Sequence, residues 1–96
     1  MFVLITYDVN TESREGQKRL RKVAKTCERY GIRVQNLVFE VLLDSAQLET
    51  VKAELASIMD REHDSIRFYR LGNNYKNRIV TMGKSSLVQT GEPLLL

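Results

Sequence analysis

The chain begins with an apolar run, Met1 to Tyr7, that ends at an aspartate, Asp8. A run of this length, followed by the turn-forming residues Asn10 and Thr11, is typical of a buried central strand. Because side chains alternate along a strand, Asp8 falls where the strand emerges toward solvent, and a strand holds a carboxylate rigidly there. Asp8 is therefore a candidate metal ligand or catalytic acid. The alternative is that it only turns the chain or caps the next helix.

The composition is that of one ordinary globular domain. The chain has 96 residues, of which 43% are hydrophobic, enough for one modest core. No stretch approaches the roughly 20 apolar residues of a membrane span. The single cysteine, Cys27, permits no intrachain disulfide, so we expect a cytoplasmic protein with no membrane partner. Cys27 is expected to fill the core, and His63, which stands alone in a polar turn, is expected at the surface.

Positive charge is concentrated in one segment. The net charge is +3, but between Arg14 and Arg29 there are seven basic residues against two acidic ones. Apolar residues recur at helical spacing through the same segment, so the basic side chains form a stripe on the exposed side of a helix. The alternative is a solvated helix face without a ligand. We predict that nucleic-acid phosphates are bound by Arg14, Lys18, Arg19, Arg21 and Lys22.

Strand and helix patterns alternate in a recognisable order. After the first strand and the basic helix come two strands, a second helix and a fourth strand. The order β-α-β-β-α-β predicts an α+β, ferredoxin-like domain over residues 1–82, with two helices on one face of a four-stranded sheet. The predicted elements after the first strand are a helix at 13–30, strands at 32–35 and 37–43, a helix that begins at Asp44 or Ser45, and a strand at 66–71.

The C-terminal region does not fit inside that sheet. Residues 78–82 have the pattern of a short fifth strand, which Leu87-Val88 could extend, and Leu94 to Leu96 form an apolar terminus. We expect the extra strand to pair at a sheet edge or with a second subunit, and residues 83–96 to dock on that partner. The alternative is a frayed tail after Gly83.

One carboxylate per chain is too few to hold Mg²⁺ well, because that ion prefers an octahedron of oxygen ligands. Two copies of Asp8 that face each other across a two-fold axis would supply a better site. A bound metal could then polarise a phosphoryl oxygen and lower the pKa of its water.

Four segments together resemble the small CRISPR-associated spacer-acquisition nuclease family, the second of the Cas proteins. Ile5 to Val9 is similar to the end of the family's first strand, and 19–25 to its first helix. Residues 30–40 resemble its second and third strands, and 64–71 its fourth. The resemblance covers about residues 1–82. Leu37 departs from it, because the family often has a serine there.

The resemblance implies a homodimer in which Asp8 of both subunits flanks a divalent metal, Mg²⁺ or Mn²⁺. It further implies a metal-dependent nuclease acting on RNA or double-stranded DNA, and a bridge between dimers of the CRISPR integrase, the first Cas protein. Tyr7, Arg19, Arg33 and Phe39 match positions that the family associates with activity, and Arg33 is a further expected phosphate contact.

Two hypotheses about the function therefore remain. In the first, the dimer is a Mg²⁺-dependent endonuclease with Asp8 as the metal ligand. In the second, it is a non-catalytic DNA-binding scaffold that bridges integrase dimers. A third class, a ferredoxin-like domain that binds a small regulatory molecule, is disfavoured by the basic helix.

Overall fold

The computed structural model describes residues 1–83. Its elements follow the predicted order. They are β1 (Phe2–Asp8), α1 (Arg14–Glu28), β2 (Gly31–Gln35), β3 (Val38–Leu42), α2 (Ser45–Ile58), β4 (Ser65–Gly72) and a short 3₁₀ turn (Lys76–Arg78).

The four strands form one antiparallel sheet in the order β2-β3-β1-β4. β1 therefore occupies a central position, as its apolar run predicts, and β2 and β4 are the edges. This order, with both helices packed on one face, is the ferredoxin-like fold, and the predicted fold class is confirmed.

The core lies between the sheet and the two helices. Val3, Ile5 and Tyr7 alternate along β1 toward the helices and are almost fully buried. They pack in one cluster with the apolar faces of α1 and α2, including Val23 and Leu55. In the described part of the chain no α-helix covers the opposite face of the sheet, where Tyr75, just before the 3₁₀ turn, stacks on Phe2 at one end with ring centroids 4.6 Å apart. We call this face the open face.

Capping side chains fix where both helices begin. The Ser13 hydroxyl accepts a hydrogen bond of 3.0 Å from the Gly16 backbone N–H. Asp44 forms a capping box with Gln47, in which each side chain bonds to the other residue's backbone N–H. Such caps satisfy donors that a helix leaves free in its first turn, so both starts are local properties of the sequence.

The predicted helix at 13–30 is two residues too long at its C-terminal end. α1 ends at Glu28, and Gly31 is the first residue of β2. A Cβ at Gly31 would lie 1.9 Å from the Glu40 carbonyl oxygen on β3. The glycine is therefore required by the close approach of two backbones.

The described chain does not contain the predicted fifth strand. Lys76–Arg78 is a 3₁₀ turn, and residues 79–82 adopt no regular secondary structure. Val80 and Met82 are 84% and 90% exposed, so no neighbouring strand covers them within the single chain. Within the single chain residues 78–82 therefore pair with neither sheet edge, β2 or β4. Pairing of this segment with a second subunit stays a prediction. The predicted extension at Leu87-Val88 and the apolar terminus at 94–96 lie outside the described residues.

Candidate functional site

Asp8 is the last residue of β1 and is exposed. It follows the buried Tyr7, so strand alternation directs its carboxylate to the open face of the sheet. Among residues 1–83 no group donates a hydrogen bond to this carboxylate, and no cluster of three or more His, Cys, Asp or Glu side chains with metal-ligand spacing occurs. Asp8 is thus available for a ligand, but one described chain offers one carboxylate.

The side chains beside Asp8 come from β4. Asp8 is opposite Ser65 and Thr6 is opposite Arg67 in the β1–β4 register. Residues that are opposite each other in an antiparallel pair share a face, so all four side chains belong to the open face. Together with Tyr69 they line a shallow cavity of about 270 Å³. An Nη1 atom of Arg67 donates a hydrogen bond of 3.2 Å to the Tyr69 hydroxyl.

Sequence reasoning missed Ser65, Arg67 and Tyr69 as site residues. The signal was the alternation of residues 65–69, in which the polar side chains of Ser65, Arg67 and Tyr69 recur at every second position. Only the β1–β4 register, however, shows that this polar row ends next to Asp8.

A buried carboxylate, that of Asp64, is the centre of a hydrogen-bonded cluster near the start of β4. The sequence pattern indicated only a polar turn at this position. Asp64 is 7% exposed and accepts four hydrogen bonds. The Tyr7 hydroxyl donates one at 2.5 Å, and Arg19 donates two, from Nε at 2.8 Å and from Nη2 at 3.1 Å. The Asp60 backbone N–H donates the fourth at 3.0 Å. This arrangement ties α1, β1 and the α2–β4 turn together.

The electrostatics of this cluster favour an ionised Asp64 and a neutral Tyr7. Burial opposes ionisation of Asp64, but the hydrogen bonds from Arg19 and Tyr7 outweigh it and hold the pKa of its carboxyl below the ordinary value. Burial and the bond to Asp64 raise the pKa of Tyr7 far above its ordinary range, so Tyr7 is a neutral donor. Arg19 was predicted to contact phosphate, and the structure gives its guanidinium a partner inside the fold. The phosphate contact stays a prediction.

Arg33 is also engaged within the fold. Its Nε and Nη2 atoms donate to the Asn36 carbonyl oxygen at 3.1 and 2.9 Å, and its guanidinium lies 5.7 Å from the centre of the Phe39 ring. Phe39 itself is completely buried. Of the positions matched to the family's activity, Tyr7 and Phe39 are buried. Arg19 and Arg33 are half-buried and hydrogen-bonded within the fold, whereas Asp8 is exposed.

The basic helix face is present but lies away from Asp8. Arg14, Lys18, Arg21 and Lys22 are all exposed on α1. α1 packs on the face of the sheet opposite the open face, so in the single chain these basic residues and the Asp8 carboxylate are on opposite sides of the sheet. Phosphate binding by these residues stays a prediction. At the end of the stripe, Arg29 pairs with Glu54 of α2.

Two minor expectations are confirmed. Cys27 is fully buried in the core, and burial raises the pKa of its thiol to about 12. His63 is exposed, with Nδ1 2.9 Å from a carboxylate oxygen of Asp60.

The sequence profile of the family described as CRISPR associated protein Cas2 matches residues 1–79. The chain belongs to the Cas2 family. The CRISPR-associated endonuclease Cas2 of Halalkalibacterium halodurans is 56% identical over 95 residues, which are 99% of each chain. The CRISPR-associated endoribonuclease Cas2 of Nitratidesulfovibrio vulgaris is 47% identical, and the match covers 100% of this chain and 94% of that one.

Solved Cas2 structures have the same fold. The crystal structure of Streptococcus pyogenes Cas2 at pH 6.5 matches with a TM-score of 0.82 and 54% identity, over 86% of this chain and 100% of that chain. The family resemblance drawn from the motifs is thereby confirmed. In the part of the chain that the structure describes, no helix is long and apolar enough to cross a membrane.

Proposed function

We propose that this Cas2-family chain is a metal-dependent endonuclease that cleaves phosphodiester bonds of double-stranded DNA or RNA during CRISPR spacer acquisition. The observation that carries the proposal is the exposed Asp8 carboxylate, held at the end of a central strand with no hydrogen bond from the described residues. The relatives' names, endonuclease and endoribonuclease, support nuclease activity.

A homodimer supplies what one chain lacks. The open face carries half-buried apolar side chains, Leu4, Val38 and Leu42, with no helix over them in residues 1–83. Val80 and Met82 are exposed as well. A second copy packed on this surface would remove apolar area from water and would bring two Asp8 side chains to one interface.

The donor set fits a magnesium or manganese ion in such a dimer. Mg²⁺ in phosphate-processing sites is typically held by one or two carboxylates, with water and substrate phosphate completing the octahedron. The two Asp8 carboxylates would hold the ion, which when bound supplies Lewis-acid activation of a phosphoryl group and of water. The β1 backbone keeps each carboxylate in a fixed direction, because Tyr7 before it is locked to Asp64.

The scaffold hypothesis is favoured by a different observation. The basic residues of α1 are exposed on the layer opposite the open face, so they can bind nucleic acid without Asp8. In that case the dimer would bridge dimers of the CRISPR integrase, the first Cas protein, and no cleavage would be needed. The same integrase is the proposed partner if the chain is a nuclease.

The deciding experiment compares wild type with Asp8→Asn on duplex DNA and on RNA. The amide keeps the side chain's shape but offers a metal only neutral oxygens. In Asp8→Asn we expect Mg²⁺- or Mn²⁺-dependent cleavage to be lost and duplex binding to persist. In wild type we expect EDTA to abolish cleavage. Glu12→Gln, a nearby exposed carboxylate, is the matched control and should cleave normally.

Cleavage by a pure Asp8→Asn preparation at the wild-type rate would contradict the catalytic assignment. If wild type binds duplex but does not cleave either substrate with Mg²⁺ or Mn²⁺, the scaffold hypothesis replaces the nuclease. Light scattering that gave a monomer mass at micromolar protein would remove the two-carboxylate site altogether.

A further inference from the structure

We propose that Arg67, oriented by Tyr69, is the substrate-binding cation of the Asp8 site and holds the phosphate of a nucleic-acid strand in the cavity between β1 and β4. The inference rests on the proposed function. It assigns phosphate binding at Asp8 to a residue of the open face, distinct from the basic helix and from Arg19 and Arg33, which are hydrogen-bonded within the fold.

Arg67 and Asp8 lie close together on the open face. Arg67 is opposite Thr6, and Asp8 is opposite Ser65, so Arg67 and Asp8 are diagonal neighbours on one face. Diagonal neighbours on paired strands are about 7–8 Å apart, within reach of a long side chain. A phosphate in the cavity beside Asp8 is therefore within reach of the Arg67 guanidinium.

The positive charge of Arg67 is not paired with a carboxylate of the described residues. Within residues 1–83 Arg67 forms no ion pair, and its hydrogen bond goes to a neutral hydroxyl. Arg19 and Arg33 differ in this respect, because Asp64 and the Asn36 carbonyl already occupy them. In the single chain Arg67 is exposed, and its remaining donors have no acceptor among the described residues. A guanidinium suits a phosphodiester because it donates two parallel hydrogen bonds.

Tyr69 orients the guanidinium of Arg67. The Tyr69 hydroxyl accepts from one Nη atom of Arg67 at 3.2 Å, and Tyr69 also lines the cavity. A hydrogen bond to one nitrogen restricts the guanidinium while its other nitrogens stay available. The Ser65 hydroxyl, beside Asp8 on the same cavity wall, is a second neutral group that a phosphate oxygen could accept from.

The chain offers a matched control on the same strand. Arg70 is also exposed on β4, but it is opposite Val3, a core residue on the helix side of the sheet. Arg70→Ala therefore removes the same charge from the same strand on the other face.

The experiment measures binding and cleavage separately. Fluorescence anisotropy with a labelled DNA duplex and a labelled RNA strand is recorded in EDTA, so that binding does not depend on metal. We expect Arg67→Ala to weaken binding of the cleaved substrate by at least about ten-fold, and to flatten the salt slope by about 2 per dimer. Arg67→Lys should keep the salt slope but cleave more slowly, because lysine cannot donate in the fork geometry. Tyr69→Phe should leave the salt slope unchanged and slow cleavage.

The outcomes separate this inference from the proposed function. If wild type cleaves, and Arg67→Ala binds and cleaves like Arg70→Ala, the inference is wrong and the nuclease assignment stands. If wild type does not cleave, but Arg67→Ala loses affinity in EDTA and Arg70→Ala does not, Arg67 binds phosphate in a non-catalytic dimer. If Arg67→Ala weakens the dimer in light scattering while binding by the assembled dimer is unchanged, Arg67 is an interface residue and the inference fails.

Discussion

Replacing Asp64 by alanine should destabilise the protein more than any change of an exposed acidic residue. The substitution removes the acceptor of four hydrogen bonds at 2.5 to 3.1 Å. It leaves the Tyr7 hydroxyl and the Asp60 N–H without that acceptor and frees the guanidinium of Arg19. Each of these groups was desolvated when the chain folded, and none regains its partner in the variant.

The expected loss of stability follows from the burial of the Asp64–Arg19 ion pair. The Asp64 side chain is 0% exposed and that of Arg19 is 21% exposed. Breaking a buried ion pair by removing one partner costs about 3–5 kcal/mol, and the partial exposure of Arg19 places the expected loss near ~3 kcal/mol. Small domains are stable by about 5–15 kcal/mol, so this is a large fraction of the total.

Urea denaturation followed by far-ultraviolet circular dichroism, at one fixed protein concentration, measures the change. Glu49→Ala is the control, because Glu49 pairs with Lys52 at 3.4 Å on the exposed side of α2 and its loss should have no measurable effect. The double variant Asp64→Ala with Arg19→Ala should lose less than the sum of the two single changes. A loss below about 1 kcal/mol for Asp64→Ala would refute the argument that this buried pair holds the fold together.

Three further predictions follow from the same structure. The pKa of Asp64 is lowered in the folded state, so the ionised carboxylate stabilises the fold above the ordinary carboxyl pKa of about 4, and this stabilisation is lost as the pH falls through the folded pKa. The free energy of unfolding should therefore fall less steeply with decreasing pH in Asp64→Asn than in wild type. Gly31→Ala should lower the free energy of unfolding by about 1–3 kcal/mol, because the new Cβ meets the Glu40 carbonyl; an unchanged melting temperature would contradict this. Duplex binding should be independent of sequence, with log K falling against log salt at a slope near ~−5 if about six side chains of a dimer meet phosphates; a flat salt dependence would contradict it.

Much of the fold could be predicted from the sequence because it depends on local patterns. The apolar run before Asp8 predicted a central strand, and the capping residues Ser13 and Asp44 mark where the helices begin. These features depend on side-chain periodicity and on hydrogen bonds between residues that are close in sequence, so one chain without its tertiary structure is enough to reveal them.

The candidate site was only half predictable. Asp8 was found because it ends a recognisable strand, whereas Arg67 became a neighbour of Asp8 only through the pairing of β1 with β4. Basic charge on α1 was visible in the sequence, but the sheet separates that helix from the open face. The register of paired strands and the side of the sheet on which a helix packs depend on residues far apart in sequence. Local sequence patterns do not encode them.

The sequence by itself determined the order of elements, the central place of β1 and the exposed carboxylate at its end. The tertiary structure alone decided what each charged residue does. Arg19 and Arg67 are both arginines beside apolar stretches, yet one is 45 residues from its buried partner Asp64 and the other is left facing solvent. The physical reason is that a charge is compensated by whatever group the folded chain brings within a few ångströms of it, and sequence distance does not measure that separation.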